Sequence, residues 1–200
     1  MEKIKIWFLQ QFRHFKLHPW PMWFLFDPHT FDIKGEDYYV IKDKIKKGDI
    51  LLRSYKYYVD GYFIPGKYSH AAIYVGGQKE TIIHAMTPDV QTTDLCTFMR
   101  CDNMAVIRLD LPERELEECV LRATSVLGRP YDYNFIFEES GDNVERKYSC
   151  SELVFYAFKK HKHIFDWQIR EQKVLWVSKF LFTPDDCIPN NNRSRIVWEK

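Results

Sequence analysis

Short apolar runs dominate the middle of the chain and predict a group of β-strands. A turn signal at Lys47-Gly48-Asp49 precedes the apolar residues 50–52. Three later segments, residues 70–75, 81–85 and 104–109, are rich in β-branched and aromatic residues. Gly76-Gly77 separates the first two of these segments and predicts a β-hairpin.

Two helices are predicted after the strands. The first begins near Pro112, with Glu113 and Glu115 at its positive end and a stop at Gly128. Its predicted buried stripe is Leu116, Cys119, Val120, Ala123 and Leu127. The second begins at Ser149, where Ser149 and Glu152 form a Ser-x-x-Glu capping box, and its inward residues are Leu153, Val154, Ala157 and Phe158. Residues 174–182 are also predicted to be helical, and residues 196–198 to form a last strand. This order indicates the α+β class.

The N-terminal segment differs from the rest, and we place a boundary between an aromatic extension, residues 1–46, and a domain, residues 47–200. Apolar residues in the first 15 positions follow helical spacing, and an aromatic, proline-broken stretch occupies residues 18–26. One interpretation is an irregular segment that packs across the domain. The other is a peripheral membrane or partner contact through residues 1–26, because aromatic and basic residues are mixed there.

Composition narrows the functional classes. The 200 residues are 46% hydrophobic, which suffices for a packed core, and the net charge of +1 gives no electrostatic case for nucleic-acid binding. Apolar runs are too short for a membrane span, and no secretory signal is evident, so we expect a cytoplasmic protein. Five cysteines without regular spacing do not indicate a disulfide framework.

Cys150 is the most informative candidate for chemistry. It follows the predicted N-cap, so backbone N–H groups and the helix dipole point at its side chain and favour a thiolate. A thiolate nucleophile needs an imidazole to take and return its proton. The alternative is an inert cysteine that packs as a small hydrophobic residue.

His70 and His84 lie on the two strands of the predicted hairpin and are candidates for that imidazole and its partner. If Val75 lies opposite Lys79 across a three-residue loop, the two histidines are directly opposed, with Cβ atoms about 5 Å apart. A loop of two or four residues places them on opposite faces and breaks the arrangement.

Four segments resemble the YiiX-type permuted papain-like amidases, which are relatives of NlpC-type cell-wall endopeptidases. They are residues 69–76 (SHAAIYVG), 82–85 (IIHA), 128–133 (GRPYDY) and 148–158 (YSCSELVFYAF). The likeness extends over roughly residues 47 to 198. It implies a circularly permuted papain-like fold, in which an antiparallel sheet or small barrel packs against helices.

The resemblance also implies residue roles. Cys150 matches the nucleophile and His70 the general base and acid. His84 stands where YiiX-like members often have Glu, and a Cys with two His residues is similar instead to the lecithin:retinol acyltransferase group. Tyr131 matches a tyrosine close to the cleft. Tyr131, Ser149 and Ser151 are therefore expected to contact substrate.

The expected function is hydrolysis of an amide, in a peptide or a peptidoglycan fragment, through a Cys-His-His triad and a thioester. The alternatives are an acyltransferase or esterase that acts on acyl lipids, and a binding module without catalysis. No cofactor is expected. A zinc site built from Cys96, Cys101, His161 and His163 is disfavoured because their spacing does not match common sites.

Overall fold

The computed structural model describes residues 31–56, 64–133, 146–174, 177–188 and 190–200, together with the backbone of two strands nearer the N-terminus. Those two are β1 (Phe15–Pro19) and β2 (Met22–Phe26). In chain order the other elements are α1 (Gly35–Lys44), β3 (Ile50–Ser54), β4 (His70–Gly76), β5 (Thr81–Met86), β6 (Asp89–Asp94), α2 (Leu95–Phe98), β7 (Asn103–Leu109), α3 (Glu113–Thr124), α4 (Cys150–Phe158), β8 (Arg170–Val174), β9 (Val177–Leu181) and β10 (Ser194–Glu199). Short 3₁₀ helices span Lys159–His161 and Pro184–Cys187.

An antiparallel sheet of six strands organises the described residues, in the order β10-β7-β3-β4-β5-β6. The sheet is open, so the α+β prediction with an antiparallel sheet is confirmed in its sheet form and not in its barrel form. The strands predicted at residues 50–52, 70–75, 81–85, 104–109 and 196–198 are all present.

Both faces of the sheet are buried, which explains why the central strands are nearly continuous apolar runs. Along β4, Ala71 and Ile73 face a core that includes residues of α3 and α4, whereas Ala72 and Tyr74 face a second core that includes Phe98. This alternation follows from the two-residue period of a strand.

The two predicted helices are confirmed as α3 and α4, with one correction. Cys119, Val120 and Ala123 are buried as predicted, but α3 ends at Thr124, and Leu127 lies beyond it and is 40% exposed. Every residue of α4 is buried, so this helix is enclosed on all sides and does not have a solvent face. Trp167 and Phe182 cover the side of α4 that carries Phe155.

The prediction of a helix over residues 174–182 is wrong. This segment contributes to an antiparallel pair in which Val174 of β8 lies opposite Val177 of β9. The segment is rich in β-branched and aromatic residues, and their strand preference outweighs the helical spacing of its apolar positions.

Residues 15–26 also differ from the prediction of an irregular segment. Strands β1 and β2 pair antiparallel, with Pro19 opposite Met22. The helical spacing predicted for the first 15 residues lies outside the described residues except at Phe15, which begins β1 and is not helical. The membrane contact predicted for residues 1–26 concerns side chains outside the described residues. Ile33 and Ile41 are buried in the second core, and the domain boundary at residue 46 stays a prediction.

No helix among the described residues is both long enough and apolar enough to cross a bilayer.

The start of β4 is held by the segment that follows β9. The Asp185 carboxylate accepts hydrogen bonds from the backbone N–H groups of Lys67 (2.7 Å) and Tyr68 (2.8 Å). Gly66 precedes them with φ +118°, and a Cβ there would lie 2.4 Å from Asp185 Cγ. The Asp185 side chain therefore fits only because residue 66 has no Cβ.

Gly66→Ala is expected to lower the free energy of unfolding by about 2 kcal/mol or more, since it combines a left-handed backbone with a clash. Gly77→Ala is the matched control, because Gly77 has φ +85° and nothing within 4 Å of the added Cβ. Urea unfolding of both variants measures the difference. Equal losses for the two variants would show that the contact with Asp185 is unimportant.

Candidate active site

The N-terminus of α4 carries Cys150 at its first position, as the sequence predicts. Ser149 is the N-cap, and its side-chain oxygen accepts a hydrogen bond from Glu152 N at 3.4 Å. In return, Ser149 N donates to Glu152 Oε2 at 2.8 Å, which completes the predicted capping box. The cap fixes where the helix begins and hence where the sulfur lies.

Cys150 lies against the main chain at the start of β4. Its Sγ is 4.0 Å from Ser69 O and 2% of the residue is exposed. Burial raises the pKa of the Cys150 thiol to about 11, although backbone N–H groups of Ala71, Ser151 and Cys150 itself lower it in part. The prediction of a thiolate at neutral pH is therefore wrong for the resting site: the helix tip favours the anion, but desolvation has the larger effect.

His70 and His84 contact each other directly. His70 Nε2 is 3.0 Å from His84 Nδ1, and the ring centroids are 5.2 Å apart with nearly perpendicular planes. If His70 Nε2 carries the hydrogen, it donates to His84 Nδ1 and leaves His70 Nδ1 free to accept a proton. The predicted histidine pair is present.

The register that produces this pair is not the one predicted. Gly76 lies opposite Thr81, so four residues form the loop, and such a loop alone would place the histidines on opposite faces. A β-bulge between Tyr74 and Gly76 adds one residue to β4 and restores the common face. Since Tyr74 then pairs with Ile82, the histidines are diagonal neighbours, still within reach of two ring side chains.

A buried arginine lies beside the histidine pair, and the sequence analysis missed it. Arg53 on β3 is directly opposite His70 on β4, is 5% exposed, and its Cζ lies 4.3 Å from the centre of the Phe98 ring. Its Nη1 donates to Phe98 O at 2.9 Å. The signal that could have found it is a charged residue at an inward position of an apolar strand.

Burial and Arg53 keep both imidazoles neutral. Burial, followed by the charges of Arg53 and His84, lowers the pKa of His70 well below its ordinary value. Burial and Arg53 also lower the pKa of His84, to about 3. The resting pair is therefore two neutral rings, and an imidazolium forms only when a proton is delivered to it.

The sulfur lies against the main chain on either side of His70. The residues whose main chain contacts the sulfur, Ser69 and Ala71, flank His70 on both sides. Among the described residues, the sulfur's hydrogen bond is to Ser69 O rather than to either ring.

Tyr131 lies near the sulfur, as the resemblance implies. The backbone N–H of Tyr131 donates to Pro88 O at 2.9 Å. Tyr131 also forms a parallel bridge with Tyr148, which lies two positions before Cys150 in the chain. Burial, and next the nearby Cys150, raise the pKa of the Tyr131 phenol well above its usual range. The phenol is therefore a hydrogen-bond donor at neutral pH.

Ser149 and Ser151 are both buried. The Ser149 hydroxyl serves the helix cap, whereas the Ser151 backbone N–H faces the sulfur. Their expected contacts with substrate stay predictions. Burial also raises the pKa of Glu152 to about 7, so the capping carboxyl is partly protonated at neutral pH.

The disfavoured zinc site has no counterpart in the part of the chain that the structure describes, where no group of three or more His, Cys, Asp or Glu side chains could hold a metal ion.

Comparison with known proteins shows the family and the fold of the chain. The family described as permuted papain-like amidase enzymes, YaeF/YiiX, C92 family, matches residues 44–187. A solved structure of the metalloprotein YiiX from Escherichia coli O157:H7 is similar, with a TM-score of 0.58 and 16% sequence identity, and covers 78% of this chain and 98% of that one. That likeness shows the fold. A search of curated proteins finds no match.

His84→Asn is expected to reduce the acid sensitivity of the fold. Because the pKa of His84 is about 3 in the folded chain and 6.5 ordinarily, the unfolded chain binds one more proton between these values. Stability present above pH 6.5 is thus lost as pH falls, by up to about 1.4 kcal/mol per pH unit for one proton. Asn keeps a polar group near the Nδ1 position without titrating, so its slope should be shallower.

Urea unfolding at several pH values between 3 and 7 measures both slopes. Identical slopes for the wild type and His84→Asn would contradict the buried, neutral state of His84.

Proposed function

The chain belongs to the family of permuted papain-like amidases of the YaeF/YiiX type, and we propose that it hydrolyses an amide bond with Cys150 as nucleophile, His70 as general base and His84 as the partner of His70. The observation that carries the proposal is the 3.0 Å contact between the imidazoles of His70 and His84. His70 lies on β4, and the Cys150 sulfur contacts the main chain next to it. A peptide or a peptidoglycan fragment is the proposed substrate.

The first step transfers one proton and forms one bond. The Cys150 thiol hydrogen moves to His70 Nδ1 as Sγ attacks the substrate carbonyl carbon, and the C=O electron pair moves onto oxygen. Since burial disfavours both charged forms at rest, transfer accompanies attack and no thiolate–imidazolium pair exists beforehand. His84 Nδ1 accepts the hydrogen bond from His70 Nε2 and stabilises the imidazolium.

The second step expels the amine. The tetrahedral intermediate collapses to a thioester, and His70 gives its proton to the leaving nitrogen. The backbone N–H of Cys150 at the start of α4 is proposed to donate to the oxyanion, an effect commonly of about 3 kcal/mol per donor. Water then attacks the thioester, with His70 again as base, and releases the acid and the free thiol.

A second candidate function differs in the acyl donor and in this last step. His84 provides a neutral imidazole where YiiX-like relatives often carry a carboxylate, and this favours comparison with the acyltransferase group that uses Cys and two His. In that case an amine or hydroxyl resolves the thioester, and the acyl group comes from a lipid.

Cys150→Ala is expected to lower kcat/KM for a peptide anilide, and for p-nitrophenyl acetate, by about 10³-fold or more, because the thioester cannot form. Cys96→Ala is the matched control, since Cys96 is an exposed cysteine on a different helix, α2. Chromophore release measures both rates. Full activity in Cys150→Ala would overturn the enzyme proposal and favour a binding module.

The two candidate functions separate with full-length protein and phosphatidylcholine vesicles. An amidase should cleave the anilide at the same rate with or without vesicles and form no acylated amine from the lipid. Acyl transfer to a primary amine that depends on Cys150 would favour the second candidate.

A further inference from the structure

A buried hydroxyl without a hydrogen-bond partner among the described residues belongs to Ser69, whose carbonyl oxygen contacts the sulfur of the proposed nucleophile. Ser69 is 6% exposed, and its Oγ has no hydrogen-bond partner among the described residues. Buried hydroxyls are nearly always paired, because an unpaired one loses its bonds to water and gains nothing in return. An unpaired buried hydroxyl in a folded protein indicates a position where a bound ligand supplies the hydrogen-bond partner.

The hydroxyl belongs to the residue that leads into β4. Ser69 N donates to Arg53 O at 3.1 Å, although His70 is the residue opposite Arg53, so Ser69 precedes the regular strand pairing. Ala71, two residues later, faces the core that includes Leu153 of α4.

The sulfur lies against the main chain of the same residue. Cys150 Sγ lies 4.0 Å from Ser69 O, and the N–H groups of Ala71, Ser151 and Cys150 also point at the sulfur. The surroundings of the sulfur are therefore rich in donors, and the residue whose carbonyl contacts the sulfur also carries a buried hydroxyl without a partner among the described residues.

We propose that the Ser69 hydroxyl donates a hydrogen bond to the carbonyl oxygen of the bound substrate and to the oxyanion formed when Cys150 attacks. The proposal rests on the proposed function of Cys150 as nucleophile. When Sγ bonds to the carbonyl carbon, the C=O electron pair moves to oxygen, and Ser69 Oγ–H holds that charge without releasing its proton. Collapse of the intermediate restores C=O and expels the leaving group, which takes its proton from His70.

The unpaired state of the Ser69 hydroxyl predicts that its removal affects activity but not stability. Removal of an unpaired buried hydroxyl leaves no polar group unsatisfied, so Ser69→Ala should not lower the melting temperature. A residue that only supported the fold would lose stability on this change. Loss of one oxyanion donor, in contrast, commonly lowers the rate by about 10²- to 10³-fold.

The experiment compares two reactions of Cys150 in the full-length wild type, Ser69→Ala and Ser69→Thr. Acylation by p-nitrophenyl acetate passes through an oxyanion, whereas alkylation by iodoacetamide displaces iodide at a CH₂ carbon and forms none. Ser69→Ala should acylate about 100-fold more slowly and alkylate at the wild-type rate. Ser69→Thr keeps the hydroxyl and should recover most of the acylation rate.

Each outcome decides the proposal. Unchanged acylation in Ser69→Ala overturns it, and so does an equal loss of both reactions, which would indicate a displaced sulfur. A lower melting temperature of Ser69→Ala, together with slow acylation of Ser69→Thr, would assign Ser69 a structural role and would also overturn the proposal. Failure of the proposed function would be recognised separately, because wild-type acylation would then not depend on Cys150.

Discussion

The register between β4 and β5 is the constraint on which the site depends. The bulge between Tyr74 and Gly76 brings His70 and His84 to one face, although the four-residue loop alone would separate them. The Asp185 carboxylate holds the backbone that leads into β4, and the capped start of α4 brings the sulfur to the same strand. The sulfur of the candidate nucleophile thus lies against the main chain next to His70, where β4 begins.

Burial decides the charge state of this site. The start of α4 and three backbone N–H groups favour a thiolate, yet desolvation has the larger effect and the pKa of Cys150 is raised to about 11. The histidines remain neutral for the same reason, and Arg53 adds to it. A site of this kind is inert until a substrate carbonyl allows proton transfer and bond formation to occur together. The unpaired hydroxyl of Ser69 fits that view, because its missing partner is an oxygen that only a substrate supplies.

The sequence predicted those features that are set locally. The capping box at Ser149, the β-rich segments and the cysteine at the helix tip each follow from a few neighbouring residues, and all are present. The bulge could not be predicted, because it depends on how β4 and β5 pack against both cores. Arg53 occupies an inward position of an apolar strand, which the sequence does show, but its packing against Phe98 and beside His70 depends on the tertiary fold. The helix predicted for residues 174–182 failed because strand pairing outweighed a weak apolar spacing.

The most direct test of the account is acid-quenched mass spectrometry of the full-length protein mixed with p-nitrophenyl acetate, with the acylated peptide identified after digestion. The account predicts one acetyl group on Cys150 in the wild type, and no such adduct over the same interval in His70→Ala, because the thiol then lacks a base. An adduct on another residue, or an adduct on Cys150 that forms equally fast without the His70 imidazole, would contradict it.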